Sequence, residues 1–242
     1  MNVVISQPMF LPWRGLFEQL LLSDVFVHYD DVQFPMGRNF CSRVQIKTKN
    51  GIKWLTVPID KKNSGVEINQ TRISYDGCWQ EKHLMTIRHA YAKSKFKKDL
   101  NNLVEEIYAK RFECIGDFNI FSFELIASYF GIQRKMFRSS ELSVDGSSSA
   151  RLMEIVKKLG GDIYITGLGA LNYIDYDLFE KNSISVEYMD YKDDKYGQIG
   201  DDFTPYVTIL DVIANLGESG VDILGSPSVY WKEFIDERNR KI

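Results

Sequence analysis

Two adjacent carboxylates, Asp30 and Asp31, lie just after the predicted strand Asp24 to Val27 and are candidates for catalysis. Carboxylates act as general bases, and their oxygens could also bind a divalent cation that carries a nucleotide diphosphate. Gln7 follows the apolar run Val3 to Ile5 in the same way. The alternative is that Gln7 caps a helix and the two aspartates only solvate a loop.

His83 is a further candidate for proton transfer, because imidazole titrates near neutral pH. His83 and His89 lie six residues apart on one predicted helix. At about 100° per residue their side chains diverge by about 120°, so they cannot share a metal ion as residues four apart can. The alternative for His83 is a hydrogen-bonded structural histidine.

Other side chains have the chemistry to bind a substrate. Arg43 offers a planar guanidinium to a phosphate or carboxylate, and Asn39 lies close to it in sequence. Trp13 could stack on a base or a sugar, or be an ordinary core residue. Gly167 and Gly169 could expose backbone amides to a phosphate. The next fingerprint position is Asn172 where a dinucleotide site has glycine, so an ordinary strand-to-helix turn is the alternative.

A βαβ unit is predicted to position the first of these residues. The β-branched run Val3 to Ile5, a helix that begins near Pro12, and the run Asp24 to Val27 give strand, helix and strand. Two strands joined by such a crossover run parallel. Because ligands bind at the carboxyl ends of parallel strands, we predict one cleft surrounded by four polar residues: Gln7, Asp30, Asp31 and Asn39.

An antiparallel hairpin is predicted next. Residues 42–48 alternate, with Val44 and Ile46 on one face and with polar residues (Arg43, Gln45 and Lys47) on the other. The run Lys49-Asn50-Gly51 supplies the turn, and residues 54–59 return as the partner strand. Residues 71–74 could add a short edge strand.

Helical spacing then predominates before the strand-helix alternation resumes. Three helices are predicted within a helical insertion at about residues 77–130, at 79–93, 97–112 and 117–130. Afterwards, strands are predicted at 135–138, 162–166 and 184–189, and helices at 150–159, 175–181, 208–216 and 229–238. The fold class is therefore α/β, a single domain over residues 1–242 with a mainly parallel sheet. The opening strand, turn and helix make a nucleotidylyltransferase-like architecture conceivable, although the HxGH signature is absent.

Composition limits the function. The 242 residues carry a net charge of −3, which argues against a nucleic-acid binder. Three cysteines (Cys41, Cys78 and Cys114) are far apart and lack metal-binding spacing. No apolar run reaches the roughly 18 residues of a membrane span, and no signal-peptide pattern is present. We therefore expect a cytoplasmic protein without membrane insertion.

Four segments carry a resemblance to a known family. They are QPMFLPWRGLFEQLLLSDVFVHYDDVQF from Gln7, residues 39–58 with WLTVP, WQEKHLMTI at residues 79–87, and YGQIGDDFTPYVTILD at residues 196–211. In this order they resemble the WbqC-like family over nearly the whole chain. His83 lies within the third segment and is preferred to His89 for that reason. Gln198, in the fourth, is added to the substrate-binding candidates.

The resemblance implies a function in polysaccharide assembly, because the family is associated with gene clusters for bacterial O-antigen and other surface polysaccharides. We expect an enzyme that transfers a group to a nucleotide-linked or lipid-linked amino sugar. Acyl or aminoacyl transfer is preferred, and glycosyl or nucleotidyl transfer is an alternative. The second hypothesis is a non-catalytic protein that binds a sugar nucleotide or a partner enzyme. No metal ligand or cofactor is assigned, and a homodimer is compatible with the sequence.

Overall fold

The computed structural model describes residues 1–37, 39–60, 65–200 and 202–240. Its strands are β1 (Asn2–Ser6), β2 (Val25–His28), β3 (Arg43–Thr48), β4 (Gly51–Thr56), β5 (Lys135–Arg138), β6 (Ile163–Thr166), β7 (Ser185–Met189) and β8 (Ser228–Tyr230). Its α-helices are α1 (Arg14–Leu22), α2 (Trp79–Ala90), α3 (Lys97–Ala109), α4 (Ile115–Tyr129), α5 (Ser148–Lys158), α6 (Tyr176–Lys181), α7 (Leu210–Leu216) and α8 (Trp231–Arg240).

A six-stranded sheet forms the centre, in the order β5-β2-β1-β6-β7-β8. All neighbours pair in parallel except β7 and β8, which are antiparallel. The chain therefore builds outward from β1 through β2 to β5, and then crosses back to start β6 on the other side of β1. This reversal is a topological switch point, where open α/β sheets bind their ligands. The predicted α/β class with a mainly parallel sheet is confirmed.

Strand β1 is apolar throughout its centre because both faces of the sheet are covered. Val4 packs into the core on one face, together with Phe26 and Ile165. Val3 and Ile5 pack into a second core on the opposite face. Buried parallel strands read as continuous apolar runs for this reason, and the short run in the sequence was sufficient to locate β1.

The predicted hairpin is confirmed as the two-stranded antiparallel sheet of β3 and β4, but its second strand is Gly51–Thr56 and not residues 54–59, because pairing begins directly at the turn with Thr48 and Gly51. Val44 and Ile46 are buried on its inner face. Gly51 completes the turn with a φ of +95°, which glycine adopts without the steric cost that a Cβ would add. Lys47 differs from the expected exposed polar face because it is buried. Its ammonium donates to Gln198 Oε1 over 3.1 Å.

Two local expectations were wrong. Residues 71–74 form isolated bridges, Ile59 with Ile73 and Arg72 with Cys114, and no strand. The last helix was expected at residues 229–238, but Ser228–Tyr230 first forms β8 and α8 begins at Trp231. Val229 pairs with Tyr188 of β7. Residues that the helical pattern assigned to the helix are therefore part of the sheet.

Helices α2, α3 and α4 occupy the interval between β4 and β5 where three helices were predicted. Each has a buried apolar face, as with Leu100, Val104 and Ile107 of α3. Among the described residues, no helix combines the length and the apolar character needed to cross a bilayer.

Candidate functional site

A cavity of about 820 Å³ opens at the switch point between β1 and β6. Strand ends form its floor, with Gln7 directly after β1, Asp31 shortly after β2, and Thr166, Gly167 and Gly169 at the end of β6. The carboxyl ends of parallel strands meet at one edge of the sheet, which is why residues distant in sequence converge here. A cavity of this volume is large enough for a drug-sized or cofactor-sized ligand.

Three aromatic rings line one end of the cavity. The centroid of Trp13 lies 4.7 Å from that of Tyr191 and 5.9 Å from that of Tyr206. Trp13 precedes α1 and forms an isolated bridge with Thr208, which joins the start of α1 to the segment before α7. Such rings offer flat apolar surfaces on which a base or a sugar ring can stack.

The start of α5 contributes a second, polar part of the lining. Gly146, Ser147 and Ser148 border the cavity, and Arg151 lies one turn further into the helix. Ser148 has a φ of +53°, an unfavourable left-handed conformation that non-glycine residues keep mainly where the surroundings enforce it. A helix N-terminus presents free N–H groups and positive potential, so this side suits an anionic group.

Arg151 and Asp31 form an ion pair in the cavity wall. Arg151 Nη2 lies 2.5 Å from Asp31 Oδ2, and Arg151 Nε donates to the carbonyl of Val144 over 2.9 Å. The guanidinium also lies 5.2 Å from the centre of the Tyr29 ring. Asp31 accepts a second hydrogen bond, from the hydroxyl of Ser139. The pair fixes a cation and a carboxylate side by side, both facing the cavity.

The phenols of Tyr29, Tyr173 and Tyr191 remain neutral at physiological pH. Burial is the main cause that raises the pKa of Tyr29, and the neighbouring Arg151 opposes it. Burial also raises the pKa of Tyr173, and it raises that of Tyr191 to about 12. These hydroxyls can therefore donate hydrogen bonds to a ligand, and they do not serve as bases near neutrality.

Asp30 lies behind Asp31 and is buried. It accepts hydrogen bonds from the backbone N–H of Ser140 over 3.0 Å and from the Ser140 hydroxyl over 2.9 Å. The hydroxyl of Ser139 also donates to it. These contacts tie the end of β2 to the segment that leads from β5 towards α5, which positions Asp31 and Arg151 indirectly.

Buried Arg14 holds the segment that carries Tyr191. Its Nε donates to the Tyr191 hydroxyl over 2.8 Å, and its Nη1 donates to the carbonyl of Asp194 over 2.7 Å. The third nitrogen donates to the carbonyl of Lys192. Glu18, one turn further along α1, lies 3.1 Å from Arg14 Nε. The first turn of α1 thus fixes the position of an aromatic ring of the cavity.

His83 lies away from the cavity, among aromatic side chains. It is 6% exposed, its Nε2 accepts the backbone N–H of Thr56 over 3.2 Å, and its Nδ1 lies 3.0 Å from the Tyr108 hydroxyl. Its ring also packs against Phe10 and Trp79. Burial lowers its pKa to about 4, so it is neutral in the folded protein near pH 7.

The pH dependence of stability should report this buried histidine. An unfolded histidine titrates near 6.5 and His83 near 4 in the folded state, so the unfolded chain binds more protons between these values. We expect His83 to lower the free energy of unfolding by roughly 3 kcal/mol as the pH falls from 7 to 4. Urea denaturation of wild type and His83→Gln across this range measures the difference. Parallel pH curves for the two proteins would contradict this account.

Four other candidates are not part of the described cavity lining. Asn39 organises a turn, since its Oδ1 accepts the N–H groups of Cys41 and Ser42. The guanidinium of Arg43 lies 4.2 Å from the Trp54 ring. The other two are Gln198, which bonds Lys47, Tyr196 and Thr204, and Asn172, which is exposed in the turn after β6.

Gly15 is required by the position of Trp13. A Cβ at Gly15 would lie 2.4 to 2.7 Å from three atoms of the Trp13 ring, so the indole would have to move. Alanine normally stabilises a helix relative to glycine, but overpacking typically costs about 1–3 kcal/mol. We expect Gly15→Ala to lower the melting temperature. In contrast, Gly225→Ala should be tolerated, because nothing lies within 4 Å of its added Cβ.

A second substitution tests the cause of the Gly15 effect. Trp13→Phe removes part of the ring that the new methyl group would meet, so it should restore much of the stability of Gly15→Ala. If the melting temperature of Gly15→Ala equals or exceeds that of wild type, the indole does not occupy this position.

Several residues of the cavity carry no signal in the local sequence. Arg151, Tyr191 and Tyr206 lie in a helix and in a polar loop, far in sequence from Gln7 and Asp31. The serines before α5 read as ordinary helix caps, and only the crossover from β5 to β6 brings them to the switch point. In the described part of the chain, no cluster of three metal-ligating side chains is found.

Comparison with known proteins relates the chain to others. It is 30% identical over 227 residues to "Uncharacterized protein Rv1507c" of Mycobacterium tuberculosis. The aligned region covers 92% of this chain and 97% of that protein. No solved structure matches it significantly. The model of the WbqC-like protein family matches residues 7–223. That match spans the four sequence segments, strands β2 to β7 and nearly the whole cavity lining, and begins directly after β1; the chain belongs to the WbqC-like protein family.

Proposed function

We propose that the switch-point cavity binds a nucleotide-linked amino sugar and that the protein transfers an acyl or aminoacyl group to it. The observation that carries this proposal is the two-sided lining of the 820 Å³ cavity. Aromatic rings at one side suit a base or sugar ring, and the α5 N-terminus with Arg151 suits a diphosphate. The association of the WbqC-like family with surface-polysaccharide gene clusters supports an amino sugar from such a pathway.

Asp31 is the best candidate for the proton acceptor. The amine of the sugar would attack the acyl carbonyl, forming a C–N bond while the bond from the carbonyl carbon to the oxygen or sulfur of the donor breaks. The proton lost by the nitrogen would pass to the Asp31 carboxylate, which faces the cavity beside Arg151. The donor would leave as the free alcohol, acid or thiol after taking up the proton that the amine loses. Asp30 and His83 are not part of the described cavity lining and are hydrogen-bonded within the protein, so we assign them structural roles.

Binding is tested by calorimetry and thermal shift with UDP-, dTDP-, GDP- and CMP-linked amino sugars, with free nucleotides and with free amino sugars. We expect a nucleotide-linked sugar to bind more tightly than either of its parts, because it can occupy both sides of the cavity. A ligand at 100 times its dissociation constant should stabilise the protein by about 2.7 kcal/mol. Absence of binding for every member of the panel would contradict the proposal.

Turnover is tested by mass spectrometry with acyl and aminoacyl donors and the best-binding sugar. Asp31→Asn should lower kcat by roughly 10²- to 10⁴-fold, which is the usual contribution of a general base. His83→Gln and Asp30→Asn are the matched controls, since we expect them to change stability more than rate. If His83→Gln abolishes turnover and Asp31→Asn does not, His83 and not Asp31 is the catalytic residue.

A non-catalytic sugar-nucleotide-binding protein is the second candidate function. Its support is that the described cavity lining contains no histidine, cysteine, lysine or glutamate. Its only carboxylate, Asp31, is already paired with Arg151 and Ser139. Tight binding without product for any donor would favour this alternative.

A further inference from the structure

One segment of the chain concentrates positive charge. Residues 32–59 contain no aspartate or glutamate, whereas the chain as a whole has a net charge of −3. The same residues contain five cations: Arg38, Arg43, Lys47, Lys49 and Lys53. Lys49 and Lys53 are exposed at the tip of the β3–β4 hairpin. Positive charge is therefore segregated onto one part of a slightly acidic protein.

Large apolar side chains are exposed in the same segment. The exposed fractions are 68% for Met36, 54% for Phe40, and 42% for both Ile52 and Trp54. Ile52 and Trp54 are two residues apart in β4 and share one face. The Phe40 ring lies 6.3 Å from that of Trp54. These four side chains, with Arg43, Lys49 and Lys53, are called the hairpin patch below, although Lys53, which pairs with Ile46, projects from the other face of β4.

The hairpin patch adjoins the aromatic end of the cavity. Gln45 lies opposite Trp54 in the hairpin, and its carbonyl accepts the N–H of Thr208 over 2.8 Å. Thr208 in turn bridges Trp13, which lines the cavity. Tyr206, two residues before Thr208, also lines the cavity and is 61% exposed. A surface that bound the hairpin patch would therefore lie beside the cavity.

We propose that the hairpin patch binds the surface of a membrane that contains anionic lipids, without spanning it. Exposed Trp, Phe, Ile and Met side chains can enter the boundary between headgroups and acyl chains. The surrounding cations complement anionic headgroups, which attract basic residues close to the surface. The long stem of Lys49 can extend beside the apolar side chains while its ammonium group stays among the headgroups. Lys53 adds positive charge from the other face of β4. This placement would bring the cavity close to membrane-anchored substrates.

Vesicle flotation tests the proposal directly with purified full-length protein. We expect association with vesicles of 70% phosphatidylcholine and 30% phosphatidylglycerol, and much weaker association with pure phosphatidylcholine. Raising the salt concentration should weaken the association, since ions screen exposed charges. Equal recovery with both vesicle types, or no recovery with either, would overturn the proposal.

Paired variants locate the contact. Lys49→Glu with Lys53→Glu should lower partitioning by on the order of tenfold or more, whereas the matched reversal Lys97→Glu with Lys98→Glu on α3 should not. Phe40→Ser with Trp54→Ser should also lower it, in contrast to Phe137→Ser on the edge strand β5. Far-UV circular dichroism and melting curves establish that each variant is folded. Equal losses in the control variants would overturn the assignment to the hairpin.

Depth is measured with brominated lipids, which quench tryptophan at short range. Wild-type fluorescence should fall on binding, and Trp54→Phe should remove most of this quenching while the protein still binds. If quenching is unchanged in Trp54→Phe, the hairpin does not enter the bilayer, and the proposal fails.

Self-association is the competing explanation of the patch. A dimer in sedimentation velocity that Phe40→Ser with Trp54→Ser dissociates would assign the patch to a second copy and overturn membrane binding. The vesicle experiments need neither a sugar nucleotide nor a donor. A negative result with vesicles would therefore leave the proposed transfer reaction standing. A negative result in the transfer assay would likewise leave membrane binding standing.

Discussion

Arg14→Met is expected to lower the free energy of unfolding by about 3–5 kcal/mol, the usual range for removal of one partner of a buried ion pair. Arg14 is 2% exposed and donates to the Tyr191 hydroxyl and to the carbonyls of Lys192 and Asp194. Its loss leaves these acceptors without their donor and the buried carboxylate of Glu18 without its cationic partner. Urea denaturation at neutral pH measures the change.

The pH dependence of Arg14→Met provides a second readout. Burial already raises the pKa of Glu18, and Arg14 opposes this effect. Without Arg14 the pKa of Glu18 should rise further, so folding should bind a proton and the destabilisation should be larger at pH 8 than at pH 5. Glu18→Gln combined with Arg14→Met should recover part of the loss. A destabilisation below about 1 kcal/mol, within the range of ordinary substitutions, would show that Arg14 does not hold the loop.

Arg151→Met is expected to weaken binding of a nucleotide-linked sugar by about 10- to 100-fold. A hydrogen bond to a charged group contributes about 1.5–3 kcal/mol, and Arg151 is the only arginine or lysine of the described cavity lining. Arg151→Lys keeps the charge but loses the planar fork, so it should recover only part of the affinity. Calorimetry with the same ligand compares the three proteins.

The control for Arg151 is Arg88→Met. Arg88 forms an ion pair with Glu105 over 2.7 Å on the surface of α2, outside the cavity lining. Its replacement should leave affinity unchanged and cost little stability, because surface ion pairs contribute about 0–1 kcal/mol. Unchanged affinity in Arg151→Met would place the anionic part of the ligand elsewhere.

The sequence predicts the sheet well because its strands are local apolar runs. Three apolar residues of β1 and the alternation of β3 were sufficient to locate both strands. Gln7 and Asp31 could be placed at one edge because the carboxyl ends of parallel strands converge there. This part of the site follows from topology alone. Asp30 and Asn39, predicted around the same cleft, are not part of the described cavity lining.

The remaining features depend on contacts between distant parts of the chain. The His83 ring packs against Phe10, Trp79 and Tyr108, and no local sequence pattern predicts these contacts. The three-residue strand β8 exists because β7 offers it a partner. The pairing of Arg151 with Asp31 likewise requires the crossover from β5 to β6.

The strand order also has a consequence for synthesis on the ribosome. In β1, Val4 pairs with Phe26 on one side, about 20 residues away, and with Ile165 on the other, about 160 residues away. At about 5–20 residues per second, translation takes on the order of ten seconds to supply that second partner. During most of the synthesis of the chain, one edge of β1 therefore has no strand to pair with. During that interval, chaperones or the helices α2 to α4 must keep other nascent chains from pairing with the open edge of β1.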